Sequence, residues 1–199
     1  MRGLPALELP ALELAPALLG HRLVRVGPGA RRRVGIVVET EAYPGGDDRG
    51  SHTHGGRRTP RTESMYLPGG SIYVYRIYGM HDCLNIVSGP EGSGEAVLIR
   101  AVEPVEGVDA MRACRPGIRD RDLARGPGRL CRAFEIDRSF DRTVLGAGAI
   151  LLEAGSPPDR IVRASRIGID SAGSWAHRPW RFLSGSPTWW SVRPRSDAG

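Results

Sequence analysis

The stretch Ser71–Ser88 reads SIYVYRIYGMHDCLNIVS, and its reading decides the fold. From Ile72 to Tyr78 nearly every residue is aromatic or β-branched, as suits a pleated strand. A period of two sends Ile72, Val74, Arg76 and Tyr78 to one face and Tyr73, Tyr75 and Ile77 to the other. Gly79 breaks the run, and the apolar pattern resumes through Cys83, Leu84, Ile86 and Val87, so a second strand is expected to return antiparallel to the first. Tyr78 and Met80 then sit at the turn, where large apolar groups have little core to enter and are better placed to meet a partner. Tyr73 reads as cross-strand packing. Asn85 is the only asparagine in the chain, and an amide inside an apolar strand must find hydrogen-bond partners or a ligand.

On the N-terminal side, leucines at 12, 14, 18 and 19 suit a short amphipathic helix before Gly20, and His21–Val26 and Val34–Glu39 read as strands around a turn at Gly27–Ala30. If the extended conformation persists, Glu39, Glu41 and Tyr43 share one strand face before Pro44, Gly45 and Gly46 force a turn. Two carboxylates beside an aromatic ring are candidate catalytic machinery. Asp47–Arg61 (DDRGSHTHGGRRTPR) has no apolar periodicity and reads as a surface loop. Its Arg57, Arg58 and Arg61 suit phosphate contacts or, equally, a solvated basic loop. The His52-Thr53-His54 pair has metal-ligand character without a second ligand cluster, so a neutral histidine recognising a ligand fits better.

On the C-terminal side, Ala96–Val102 reads as a buried strand carrying Arg100, whose charge calls for a carboxylate or a bound phosphate. Val105–Cys114 and Arg121–Phe134 are helical candidates, the second interrupted by Gly126-Pro127-Gly128, an element suited to presenting backbone N–H groups to a phosphate. Ile150–Leu152 and Ile161–Ile169 are short strands. Trp175, Trp180, Trp189 and Trp190 read as core or edge packing.

The 199 residues fit one domain, and a net charge of +6 favours a polyanionic partner such as nucleic acid. All 28 basic residues are arginine. With no lysine amine, a Schiff base on a sugar would need another amine such as the N-terminus, and water is the better candidate nucleophile. Cys83, Cys114 and Cys131 form no Cys-x-x-Cys pair, which fits a reducing cytoplasm rather than a disulfide framework or a zinc ribbon. Pro5, Pro10, Pro16, Glu8 and Glu13 break the leucine-rich N-terminus, so neither an export signal nor a membrane span is expected. The tandem LPALE at Leu4–Glu8 and Leu9–Glu13 is too short for a repeat architecture.

Taken together, ETEAY (39–43), Ser51-His52, GGRRTPR (55–61), YVYRIYGM (73–80), LIRAVEP (98–104) and GPGRLCRA (126–133), in this order with RIGID, SAGSWA and GSP after them, resemble the alkyladenine (3-methyladenine) DNA glycosylase family. The resemblance runs from about Leu18 to Val192 and implies an α+β fold: a single mixed domain, 18–199, with a curved antiparallel sheet and a protruding hairpin for the DNA minor groove. Residues 1–17, with the duplication, are left as an N-terminal extension. The resemblance places the catalytic carboxylate on Glu41 and the arginine that helps hold the attacking water on Arg100. It places the base pocket on Tyr43, His52, Tyr75 and Asn85, the last disfavouring guanine's exocyclic amine, and the wedge on Tyr78 with Met80 beside it. His81 departs from relatives that carry an aromatic there. The implied activity is monofunctional hydrolysis of the N-glycosidic bond of a damaged purine flipped out of double-stranded DNA, without cofactor or metal, by a cytoplasmic, nucleoid-associated monomer. Strand physics alone does not choose Glu41 over Glu39. Two rivals remain at this point: a noncatalytic module for structured DNA or RNA, and a metal-dependent hydrolase built on His52 and His54.

Overall fold

The computed structural model describes residues 3–194, within which eight strands form one curled antiparallel sheet with three α-helices packed against it. The two ends of the segments 1–17 and 18–199, and with them the N-terminal amine, lie outside the described residues. The strands are β1 (Arg22–Val26), β2 (Arg32–Tyr43), β3 (Ile72–Ile77), β4 (His81–Ser88), β5 (Glu95–Glu106), β6 (Ile150–Glu153), β7 (Val162–Ala164) and β8 (Arg181–Leu183). They run in the order β3-β4-β5-β2-β1-β6, with β8 on β2 and β7 on β8. Strand β2 is the hub. One edge pairs with β5 along its length, while the other takes β1 at Arg32–Ile36 and β8 at Glu39–Glu41.

The hairpin expected from Ser71–Ser88 is β3 and β4, in register from Ile72↔Ile86 to Ile77↔His81. Strand β3 stops at Ile77 because Tyr78 and Gly79 both take left-handed backbone, at φ 52° and 69°, and the Met80 N–H closes the turn on the Ile77 carbonyl at 3.2 Å. Positive φ at both central positions gives a turn whose twist matches the flanking strands, and it costs a non-glycine residue such as Tyr78 about 1 kcal/mol.

Helix α1 (Ala11–Ala17) lies inside the segment read as an extension, yet it is core. Ala11, Leu14 and Ala15 are fully buried and cluster with Leu18, Val37, Ile86 and Ile99, whereas Leu12, counted on the apolar face, turns to solvent. A Glu95 carboxylate oxygen from β5 accepts the Ala11 N–H at 2.8 Å, and the Thr40 hydroxyl donates to the Ala15 carbonyl at 2.8 Å, tying α1 to the sheet at both ends. Helix α2 (Val108–Cys114) starts three residues later than expected because β5 runs on to Glu106 and Gly107 breaks the chain at φ 71°. Helix α3 (Pro127–Phe134) likewise begins only after Gly126, with Pro127 at its first position. Only Val162–Ala164 of the strand expected at Ile161–Ile169 is strand; the chain then leaves the sheet and crosses over the site.

Of three register shifts in the ladder between β2 and β5, the two on either side of Glu39 are opposed. Val37 pairs with Val102 and Thr40 with Ile99, but between them Glu39 pairs with Ala101, leaving Val38 extra on β2 and Arg100 extra on β5. Before this double bulge Val37 and Val102 face the core; beyond it the core residues are Ala42, Val97 and Ile99. The alternation has shifted by one on both strands, which turns Glu39, Glu41, Tyr43 and Arg100 to the opposite side.

Candidate active site

Glu39 and Glu41 expose no surface, and both meet Arg100, which is 7% exposed. Glu41 Oε2 accepts from the Tyr43 hydroxyl at 2.8 Å and from Arg100 Nη1 at 3.2 Å, while its Oε1 accepts the Ile167 N–H at 2.8 Å. Glu39 is held differently. Arg181 Nη1 donates to its Oε1 at 2.9 Å, the Ser191 N–H to Oε2 at 2.5 Å and the Ser191 hydroxyl to Oε1 at 2.7 Å, with Arg100 Nε 3.3 Å from Oε1. Two buried guanidiniums thus balance two buried carboxylates, the condition under which such charges are tolerated. Burial alone would lower the affinity of Arg100 for its proton, but the adjacent Glu41 and Glu39 more than offset this and push its pKa up. Burial, and then the charge of Glu41, push the Tyr43 phenol well above its usual pKa, so it stays a donor.

Above this cluster opens a cavity of roughly 600 Å³. Tyr43, Arg100, Tyr73, Tyr75, His52 and Asn85 line it, together with the segment Ile167–Ile169. Glu41, fully buried, does not line this cavity itself but is bonded to two residues that do, Tyr43 and Arg100. The four residues that the resemblance gave to a base pocket, Tyr43, His52, Tyr75 and Asn85, are brought together here, with Arg100.

His52 stands edge-on to Tyr75, with ring centres 4.6 Å apart, and its Nδ1 is 3.0 Å from the Tyr73 hydroxyl. Burial first, then the charges of Arg61 and Arg57, lower its pKa to about 4, so it is neutral at pH 7. Arg61 Nη2 lies 3.5 Å from His52 Nε2, at the outer limit of a hydrogen bond. Both amide hydrogens of Asn85 are used on the Tyr73 and Cys83 carbonyls, at 3.1 and 3.3 Å, which fixes its orientation. Cys83 lines the same cavity; burial pushes its thiol up to about 11 and leaves it un-ionised.

The three loop arginines divide. Arg61 is exposed and lies over the Tyr75 ring at 5.1 Å, on the outside of a residue that lines the cavity. Arg58 is paired with Glu63 and lies 4.3 Å over Tyr66, while Arg57 is exposed and keeps its carbonyl on the Tyr66 hydroxyl. His54, exposed on the same loop, is not among the residues lining the cavity with His52. At the hairpin tip Tyr78 is 80% and Met80 72% exposed, at the mouth of the cavity that Tyr78 also lines.

Sequence reasoning missed several residues that build the site. Tyr73, read as packing, orients His52. Arg166 is fully buried; it clamps Asp48 through both nitrogens, at 2.5 and 2.6 Å, donates to the Ala42 carbonyl and stacks between the Tyr43 and Trp180 rings at 4.7 and 4.9 Å. Its neighbour Ile167 supplies the N–H on Glu41. Gly50 packs so tightly here that a Cβ would fall 2.8 Å from Arg166 Nη2. The only local signal for this unit was RIGID at 166–170, a motif of the resemblance with no periodicity of its own.

A buried carboxylate and arginine under an aromatic cavity, beside an exposed aromatic hairpin, belong to a class of base-excising DNA enzyme, and residues 6–187 match the model of the methylpurine-DNA glycosylase family, to which this chain belongs. Among its relatives is the DNA-3-methyladenine glycosylase of Homo sapiens, 45% identical across 97% of this chain and 68% of the human protein. That of Mus musculus is 46% identical across 94% of this chain and 60% of its own length. A putative 3-methyladenine DNA glycosylase of Myxococcus xanthus is 49% identical across 87% of this chain and 84% of its own. The chain therefore spans about two thirds of the mammalian relatives and most of the bacterial one. The matched residues begin at residue 6 and so include helix α1. These matches lend no support to the rival reading as a noncatalytic binding module. No helix among the described residues is long and apolar enough to cross a membrane.

Proposed function

We infer that the protein is a monofunctional DNA glycosylase of base excision repair, which flips an alkylated or otherwise damaged purine from duplex DNA and hydrolyses its N-glycosidic bond. The observation that carries this reading is Glu41, held by Tyr43, Arg100 and Ile167 beneath a cavity walled by aromatic rings. Tyr43 and Tyr75 offer π faces to a purine made electron-poor or cationic by alkylation, and neutral His52 adds a hydrogen bond. Asn85, its amide pinned to two carbonyls, cannot move aside for a guanine amine. The hairpin enters the minor groove, and Tyr78, with Met80 beside it, fills the gap left by the flipped nucleotide, recovering part of an unstacking cost of a few kcal/mol. Arg57, Arg58 and Arg61 meet the phosphates around it.

Chemistry then needs one water. Arg100 holds it against Glu41, which takes its proton as the oxygen attacks the anomeric carbon; the base departs with the bonding electrons, and the sugar is left as an abasic site. The charge of Glu41 also favours the oxocarbenium character of the sugar during departure. The protein acts as a monomer in the cytoplasm, on chromosomal DNA.

The test is a panel of duplexes, each carrying 3-methyladenine, 7-methylguanine, hypoxanthine or ethenoadenine, scored for base release and strand integrity. Wild type should release at least one base and leave the strand whole until alkali is added. Glu41→Gln should keep lesion binding and lose about 10²- to 10⁴-fold in single-turnover rate. Equal rates for Glu41→Gln and wild type, or nicking at neutral pH with a borohydride-trapped adduct, would defeat the reading.

A further inference from the structure

Glu39 takes no part in the mechanism above, yet it is as buried as Glu41 and has more partners. Its contacts converge on Arg100. Arg100 Nε sits 3.3 Å from Glu39 Oε1 and 3.4 Å from the Ser191 hydroxyl, which leaves Nη1 to meet Glu41. Ser191 in turn gives Glu39 both its N–H and its hydroxyl. The segment carrying Ser191 is fastened on every side: the Trp190 carbonyl accepts from Arg125 Nε at 2.9 Å, the Trp190 indole donates to the Ser184 carbonyl at 2.7 Å, and the Val192 carbonyl accepts from Arg181 Nη1 at 2.8 Å. Ser191 and Val192 lie beyond residue 187, where the family match ends.

We propose that Glu39 and Ser191 are positioning residues for the hydrolysis, a clamp that holds the Nε side of Arg100 so that only one of its nitrogens reaches Glu41. The physical reason is the shape of guanidinium. Arg and carboxylate prefer a paired, two-bond fork, and an Arg100 released on its Nε side would rotate toward that fork on Glu41. Both Glu41 oxygens would then be taken, one by Ile167 and Arg100 and the other by Tyr43 and Arg100, with no place left for the attacking water. Glu39 keeps Arg100 turned partly away, and Ser191 keeps Glu39 where it can do so. Neither touches the purine cavity, so the clamp acts on the rate of the step and not on the hold on the lesion.

This inference rests on Glu41 as the base, and the experiment separates the two. Full-length wild type, Glu39→Gln, Ser191→Ala and Ser191→Thr are compared on one lesion duplex for single-turnover excision rate and for Kd. Glu39→Gln should lose on the order of ten- to a hundredfold in rate, the scale of a small misplacement at a reacting centre. Ser191→Ala, which removes one hydroxyl and no charge, should lose about threefold to tenfold, with Kd within about twofold of wild type in both. Ser191→Thr keeps the hydroxyl and should restore the rate. A Ser191→Ala enzyme as fast as wild type, a rate and Kd that worsen in step, or a Thr variant as slow as Ala would overturn the clamp. Ser191→Ala decides the matter should Glu39→Gln fail to fold. A wild type that releases no base would instead overturn the glycosylase reading itself.

Discussion

Replacing Asp48 by alanine strikes the most deeply buried ion pair that the structure records. Both side chains of the Asp48–Arg166 pair are 0% exposed, and two short bonds, at 2.5 and 2.6 Å, join them. Without the carboxylate the guanidinium keeps the Ala42 and Trp175 carbonyls, while its Nε already has no partner. Breaking one side of such a pair costs about 3–5 kcal/mol, because the remaining charge is stranded in low dielectric. Domains hold about 5–15 kcal/mol in total, so the loss is a large share. Equilibrium unfolding in urea measures it: with a slope of about 2 kcal/mol per M, the midpoint should fall by roughly 1.5–2.5 M at unchanged slope. Asp48→Leu combined with Arg166→Met removes both charges and should recover much of the loss, since the penalty lies in the unpaired ion. A midpoint that drops by less than about 0.5 M for Asp48→Ala would refute the assignment of a desolvated, mutually dependent pair.

Other outcomes follow from the same geometry. Tyr78→Asn relieves left-handed strain and should raise stability by up to about 1 kcal/mol in the same assay, while weakening binding to lesion duplex more than to lesion single strand; equal losses on both would remove the wedge. Arg57→Ala should lower the slope of log K against log salt by about 0.9, and Arg58→Ala by less because Glu63 already neutralises it. His52 has a folded pKa of about 4 against an ordinary value of 6.5, so the unfolded chain takes the proton first. The stability this residue permits is therefore complete above pH 6.5 and is lost as pH falls toward 4, by up to about 3 kcal/mol. Urea midpoints across that window should decline less steeply in His52→Gln than in wild type.

How much of this was legible in the chain depended on range. The hairpin was legible because alternation and a glycine break act within eighteen residues, and Glu39 and Glu41 were placed on one face by the same period of two. Their different fates were not, since Ser191 and Arg181 lie 152 and 142 residues from Glu39 in sequence and leave no local trace. Arg166 was invisible for the same reason: a buried cation reads as an exposed one until its carboxylate is found, here 118 residues away. Strand β8, three residues long, is too short to show a period. Helix α1 was read as a helix but not as core, because Leu12 and the prolines obscured an apolar face made largely of alanine.

The double bulge between β2 and β5 has a consequence in genetic terms. Val38 and Arg100 each add one residue to opposite strands, so the register is the same on either side of them, Val37↔Val102 before and Thr40↔Ile99 after. Deleting Val38 alone would reverse the alternation downstream on β2 and send Glu41 and Tyr43 toward the core, and deleting Arg100 alone would do the same upstream or downstream on β5. Deleting both would restore a regular ladder. Pairing would be regained, yet the double deletion would leave no arginine beside Glu41. Insertions and deletions here are therefore closed to the chain by two separate barriers, one of register and one of chemistry, so length variation has to accumulate in the loops instead.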